Sequence, residues 1–319
     1  MDCLLLCIGL GMILFGANIL TDGASALAKR FRVSEFIIGL TIVAIGTSMP
    51  ELVVSVLSVL GGATDMAIGN VVGSNLFNGL LILGITALIA PVPLTRNNIR
   101  RDIPMGFLAA MLLLLMVSDR VLTGAAADRI GRGDGAVLLL LFAAFMWHSV
   151  ATARNDTPGA PEEPAARRKS ILLIAAMTIG GLAGLIIGGE LFLNAAISIA
   201  QSLGVSERFI SITLVAGGTS LPELAASAIA AFKGKPELAL GNVLGSNISN
   251  ILLILGTSSV IAPLTLGGVG LGDILAIAAS AGLLMAMAFM SRSSRVSRWG
   301  GAVLIAAYAL YAAWLIAGR

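Results

Sequence analysis

Apolar residues fill the chain in long runs broken by short polar stretches. Ten runs can be drawn, at residues 3–28, 36–60, 67–90, 103–118, 135–152, 171–200, 208–231, 238–262, 272–290 and 300–317. A hydrocarbon core about 30 Å thick needs roughly 20 apolar residues per helix, so each run predicts one spanning helix. The runs are rich in Leu, Ala, Ile and Gly and lack period-2 alternation, which argues against a membrane β-barrel. The expected fold is an all-α polytopic membrane protein with ten transmembrane helices.

Composition agrees with lipid as the main surrounding. Of 319 residues, 57% are hydrophobic and 12% charged, too few charges to cover a soluble surface. The net charge of +3 does not predict a nucleic-acid partner, because the basic residues sit singly between apolar runs. Residues 1–27 lack a basic leading segment and run on into Lys29 and Arg30, so they read as a retained first helix. Cys3 and Cys7, four residues apart, read as small core residues. His148, beside Trp147 at the end of a run, reads as interfacial.

The longest polar stretch, Ala153–Ser170, reads as a solvated linker. It divides the chain into a first half at 1–152, the linker at 153–170 and a second half at 171–319. Loops between runs 1 and 2, 3 and 4, 5 and 6, 7 and 8, and 9 and 10 carry 15 of the 20 Lys and Arg residues. The positive-inside rule makes that side cytoplasmic and puts both termini outside.

The two halves repeat. Shifted by 172 residues, Gly46-Thr47-Ser48-Met49-Pro50-Glu51 falls on Gly218-Thr219-Ser220-Leu221-Pro222-Glu223. Val33-Ser34-Glu35 falls on Val205-Ser206-Glu207, and Gly69–Asn75 falls on Gly241–Asn247. Asn78 falls on Asn250. Five spans per half is an odd number, so equivalent helices cross in opposite senses. Two inverted-topology repeats of five are the plan of secondary transporters with a midplane site.

The repeated segments carry the candidate chemistry. Glu51 and Glu223 lie midway along apolar runs, where a carboxylate costs about 3 kcal/mol unless neutralised. Proline removes an amide donor and frees an upstream carbonyl, and glycine lets the backbone leave helical geometry cheaply. Each segment thus offers a carboxylate, backbone carbonyls and two hydroxyls, all hard oxygen ligands suited to Ca²⁺ or Na⁺. Asn70, Ser74 and Asn78 share one helix face, as do Asn242, Ser246 and Asn250. Asn70 and Asn242 are expected to bond between helices. Ser74, Asn78 and their mates are expected to ligate. Glu190 and Asn194 match Asn18 and Asp22 but read as wet positions near helix ends.

The paired GTS-x-PE and GN-V-x-GSN-x-x-N segments resemble the α-repeats of the sodium/calcium exchanger family, within the cation/calcium antiporter superfamily. The resemblance is to prokaryotic-type members without a large regulatory loop and covers almost the whole chain. It implies Glu51 and Glu223 as calcium carboxylates, with the carbonyls of Thr47 and Thr219 in the same shell. It implies flanking sodium sites built from Ser48, Ser74, Ser220, Ser246 and the carbonyls of Ala44 and Ala216. Asn78 and Asn250 would sit at the centre. Several members carry Asp where this chain has Asn250, which leaves sodium stoichiometry and coupling ion open.

The expected function is exchange of Ca²⁺ for Na⁺ by alternating access in the plasma or inner membrane. The transported ions are the partners, with the lipid bilayer. No cofactor and no catalytic residue is expected, and a monomer suffices. The first and sixth spans, long and glycine-rich, are expected to slide as the gate. Exchange of protons for calcium or another divalent cation is the first alternative. A passive channel is a second, disfavoured by the inverted repeat, and a membrane-embedded hydrolase is a weak third.

Overall fold

The computed structural model describes residues 1–120, 124, 128–153, 169–203, 216–291 and 293–317. The first half holds α1 (Asp2–Phe31), α2 (Glu35–Thr47), α3 (Met49–Leu60), α4 (Thr64–Ile89), α5 (Ile103–Met116) and α6 (Arg132–Thr152). The second half holds α7 (Ile171–Ser202), α8 (Leu221–Phe232), α9 (Pro236–Ile261), α10 (Leu271–Met290) and α11 (Arg298–Ile316). A single turn at Ala216–Gly218 precedes α8.

Among the described residues, seven helices are long and apolar enough to cross a membrane: α1, α4, α6, α7, α9, α10 and α11. The pair α2 and α3, bent by 42° at Ser48, makes an eighth. Helices α5 and α8 are shorter, with 14 and 12 residues. Most of the expected linker, at 154–168, and the start of the seventh run, with Val205-Ser206-Glu207, lie outside the described residues.

Polarity is arranged for lipid. Leu140, Trp147, Leu172 and Leu310 are among the exposed large side chains, while Glu51, Asn78, Glu223 and Asn250 are fully buried. Helix α9 is the most interior, with 89% of its apolar window buried, against 11% for α11. Cys3 and Cys7 correct the expectation of core positions: both are exposed on α1. On a lipid-facing helix, apolarity does not separate inside from outside.

Helices α1 and α7 pack against each other along most of their length. A Cβ at Gly16 would lie 2.8 Å from the Leu185 backbone nitrogen, so only glycine permits this approach. At α9, a Cβ on Gly241 would collide with the Phe36 carbonyl oxygen of α2. That contact seats the end of α2 on α9.

The all-α expectation needs one amendment. Among the described residues, four two-residue strands pair antiparallel across the halves: β1 (Val92–Pro93) with β4 (Arg295–Val296), and β2 (Arg129–Ile130) with β3 (Leu264–Thr265). The cause is local. Ala90 precedes Pro91 and Ala262 precedes Pro263, and both alanines are forced extended, at φ −139° and −147°.

Candidate cation site

The site is built at two helix breaks. Pro50 and Pro222 lack an N–H, so the helices restart at Met49 and Leu221 with proline in the first turn. The residues at the breaks have almost the same backbone: Ser48 at φ −84°, ψ 7° and Ser220 at φ −92°, ψ 10°. Glu51 and Glu223 follow in the first turns of α3 and α8, both wholly buried.

The halves then exchange partners. Ser48 Oγ donates to Glu223 Oε1 at 3.0 Å, and Ser220 Oγ donates to Glu51 Oε1 at 3.0 Å. Ser74 Oγ approaches Glu51 Oε1 at 3.5 Å. Each carboxylate is therefore held by the break of the opposite half, which brings both to one centre.

Asn70 and Asn242 do the bracing expected of them. Asn70 Nδ2 donates to Ser55 Oγ at 3.0 Å and to the Glu51 carbonyl at 3.1 Å. Asn242 Nδ2 donates to Ser227 Oγ at 3.0 Å and to the Glu223 carbonyl at 3.4 Å. Thr47 Oγ1 donates to Asn242 Oδ1 at 3.2 Å. Ser55 and Ser227 were not singled out from the sequence, although the 172-residue shift relates them.

Twelve buried side-chain nitrogen and oxygen atoms among the described residues make no protein hydrogen bond. Eight of them belong to Glu51, Asn78, Thr219, Glu223, Ser246 and Asn250, all in or beside the two repeated segments. An unpartnered buried polar group costs about 1–3 kcal/mol, more when charged. Such a concentration calls for an explanation, and an ion is one that would satisfy these groups. The donor set is two carboxylates among neutral oxygens, the chemistry of a hard cation. Among the described residues, no three His, Cys, Asp or Glu side chains gather into a metal cluster.

The remaining expected ligands fall as follows. Asn78 lies in a π-helical turn at Phe77–Ile82, and Asn250 in its mate at Asn250–Leu255. Such turns insert an extra residue and recur at functional positions; no sequence signal marked them. The Ala44 carbonyl already accepts from Ser48 N at 3.0 Å and Thr47 Oγ1 at 3.3 Å. Ala216 opens the turn before the second break.

Asn75 and Asn247 point elsewhere. With Gly79, Phe107 and Ser280 they line a separate cavity of about 30 Å³ bordered by α5 and α10. Glu190 and Asn194 lie well inside α7, not at its end, and both are exposed.

The chain is similar to known proteins over nearly its whole length. The family model described as sodium/calcium exchanger protein matches residues 2–151 and 173–317. The sodium/calcium exchanger MaX1 of Methanosarcina acetivorans is 32% identical over 97% of this chain and 96% of its own. The inner membrane protein YrbG of Escherichia coli is 32% identical over 98% and 95%. A solved structure of the sodium-calcium exchanger NCX_Mj, soaked with Na⁺ and Ca²⁺, superposes with a TM-score of 0.84 at 31% identity, covering 98% of this chain and 97% of that one.

Proposed function

This chain belongs to the sodium/calcium exchanger family, and we propose that it exchanges Ca²⁺ for Na⁺ at the paired carboxylates Glu51 and Glu223. The observation that carries this reading is the reciprocal pair Ser48–Glu223 and Ser220–Glu51, which leaves Oε2 of each carboxylate buried and without a protein partner.

Two carboxylates balance one Ca²⁺ or two Na⁺, so the two loads compete for the same charge. Ca²⁺ takes about 6–8 oxygens. Beyond the carboxylates, these come from the Thr47 and Thr219 carbonyls and the Asn78 and Asn250 amides at the centre. Ser48, Ser74, Ser220 and Ser246, with the carbonyls of Ala44 and Ala216, serve Na⁺ beside it. An amide oxygen supplies a dipole without a charge, which keeps the central charge at that of the two glutamates.

Access alternates. In this reading the chain crosses the membrane ten times as two inverted repeats of five, at 1–152 and 171–319, joined through 153–170. Helices α5 and α8 are shorter crossings, and α2 with α3 forms one broken crossing. Helices α1 and α7 slide as the gate, and their glycine-lined seam supports that role. The basic loops face the cytoplasm, both termini face outside, and a monomer in the plasma or inner membrane holds the whole site. Sodium entering down its gradient drives calcium out.

The direct test is uptake of radioactive calcium into sodium-loaded vesicles, with proton-gradient and no-gradient controls. Uptake that requires the outward sodium gradient is expected. Uptake driven by a proton gradient without sodium would overturn sodium coupling, and uptake with no counter-ion gradient would point to a channel.

A further inference from the structure

Helices α1 and α7 are sequence mates, yet they meet the rest of the protein unequally. Helix α1 lies along α8, whereas α7 does not lie along α3, the mate of α8. The two gate helices are thus seated unequally on the two helices that carry the site glutamates.

Two lysines from the turn after α8 fasten it to α1. Lys233 Nζ donates to Asp22 Oδ1 at 2.6 Å, Asn18 Oδ1 at 2.8 Å and the Asn18 carbonyl at 3.2 Å. Lys235 Nζ donates to Ser25 Oγ at 2.5 Å and lies 3.9 Å from Glu35 Oε1.

The 172-residue shift shows what the matching turn lacks. The turn Lys233-Gly234-Lys235 corresponds to Gly61-Gly62-Ala63. Both central glycines have positive φ, at 71° and 84°, so the two turns share a conformation that favours glycine. Only the side chains differ. On α7, Glu190 and Asn194 occupy the places of Asn18 and Asp22, but no lysine stands at 61 or 63 to meet them.

We propose that Lys233 and Lys235 are a one-sided latch, which holds α1 to the α8–α9 turn and biases the exchanger towards closure on that side. The latch rests on the alternating-access reading and adds a regulation to it. In a repeat-built exchanger the two access states are near mirror images, and only a contact that differs between them shifts their balance. Moving α1 off α8 breaks the lysine contacts. Bringing α7 onto α3 forms none in exchange. By the charge pattern of the loops, the latched side is cytoplasmic.

The test uses the full chain in nanodiscs, with Cys3→Ala and Cys7→Ala and spin labels at Arg30 and Phe232. Electron–electron resonance then reads the ratio of long to short separations between α1 and the α8–α9 turn. Partly exposed ion pairs shift such an equilibrium by roughly five-fold. Lys233→Ala with Lys235→Ala is expected to raise the long-to-short ratio by about that factor. Asp22→Asn, which attacks the same contact from α1, should raise it less. The charge swap Asp22→Lys with Lys233→Asp should return it towards the unmodified value. An unchanged ratio in both the lysine and Asp22→Asn variants overturns the latch, as does a rise that the swap leaves uncorrected. Calcium–sodium exchange by the unmodified protein is measured separately. Its absence would fail the transport reading, while the distance ratio answers for the latch.

Discussion

Ser220 Oγ lies 3.0 Å from Glu51 Oε1, although 169 residues separate the two in the chain. Ser48 stands in the same relation to Glu223, also at 3.0 Å. Each repeat therefore supplies the carboxylate that the other repeat's helix break orients. Hydrogen bonds to a charged acceptor contribute about 1.5–3 kcal/mol. Ser48→Ala and Ser220→Ala should each weaken the calcium dependence of exchange about ten-fold, and by similar factors. Calcium titration of exchange checks this; unaltered calcium dependence in either variant would show that the serine does not orient the ligand.

Glu51→Gln and Glu223→Gln should each reduce calcium transport to background while the protein stays folded. Each change removes one of two buried charges that face a divalent ion, and the isosteric amide keeps the packing. Vesicle uptake, paired with gel filtration and a melting curve, checks both halves of the statement. Near-normal flux from either variant would remove that carboxylate from the site.

Asn250→Asp should alter ion coupling more than calcium affinity. Asn250 is wholly buried, and its side-chain atoms make no protein hydrogen bond. A third carboxylate there makes room for another monovalent cation or a proton. Sodium and pH dependences of exchange are the measurements, and wild-type behaviour in both would take Asn250 out of the mechanism.

Cysteines introduced at Thr157 and at Ala317, in a background lacking Cys3 and Cys7, should differ in reactivity towards an impermeant thiol reagent on intact cells. Labelling at 317 and protection at 157 is the expected pattern, from the bias of Lys and Arg towards one set of loops. Equal labelling would break the count of five crossings per half, and the inverted-repeat mechanism with it.

Much of the site is legible in the residues themselves. Pro50 and Pro222 announce the helix breaks, because a proline inside an apolar run removes the N–H that would continue the preceding helix. The 172-residue shift pairs Glu51 with Glu223 and Asn78 with Asn250 before any coordinates exist. Asn70 and Asn242 could be read as braces, since a polar group in a buried apolar helix must find a partner. The π-helical turns that hold Asn78 and Asn250 carried no such signal. Their backbone depends on how α4 and α9 pack, and ordinary helix-forming residues occupy them.

By itself the sequence determined that the chain lives in lipid, where its helices break, and which residues are mates. These follow from backbone chemistry and from the length of apolar runs, both local properties. Only the tertiary structure decided that each serine at a break serves the opposite glutamate. It also decided that Cys3 and Cys7 face outward, and that Asp22 meets Lys233. In a membrane, an apolar run says that a helix crosses but not which face turns inward. That choice belongs to the contacts between helices, and with it the partner of every buried polar group.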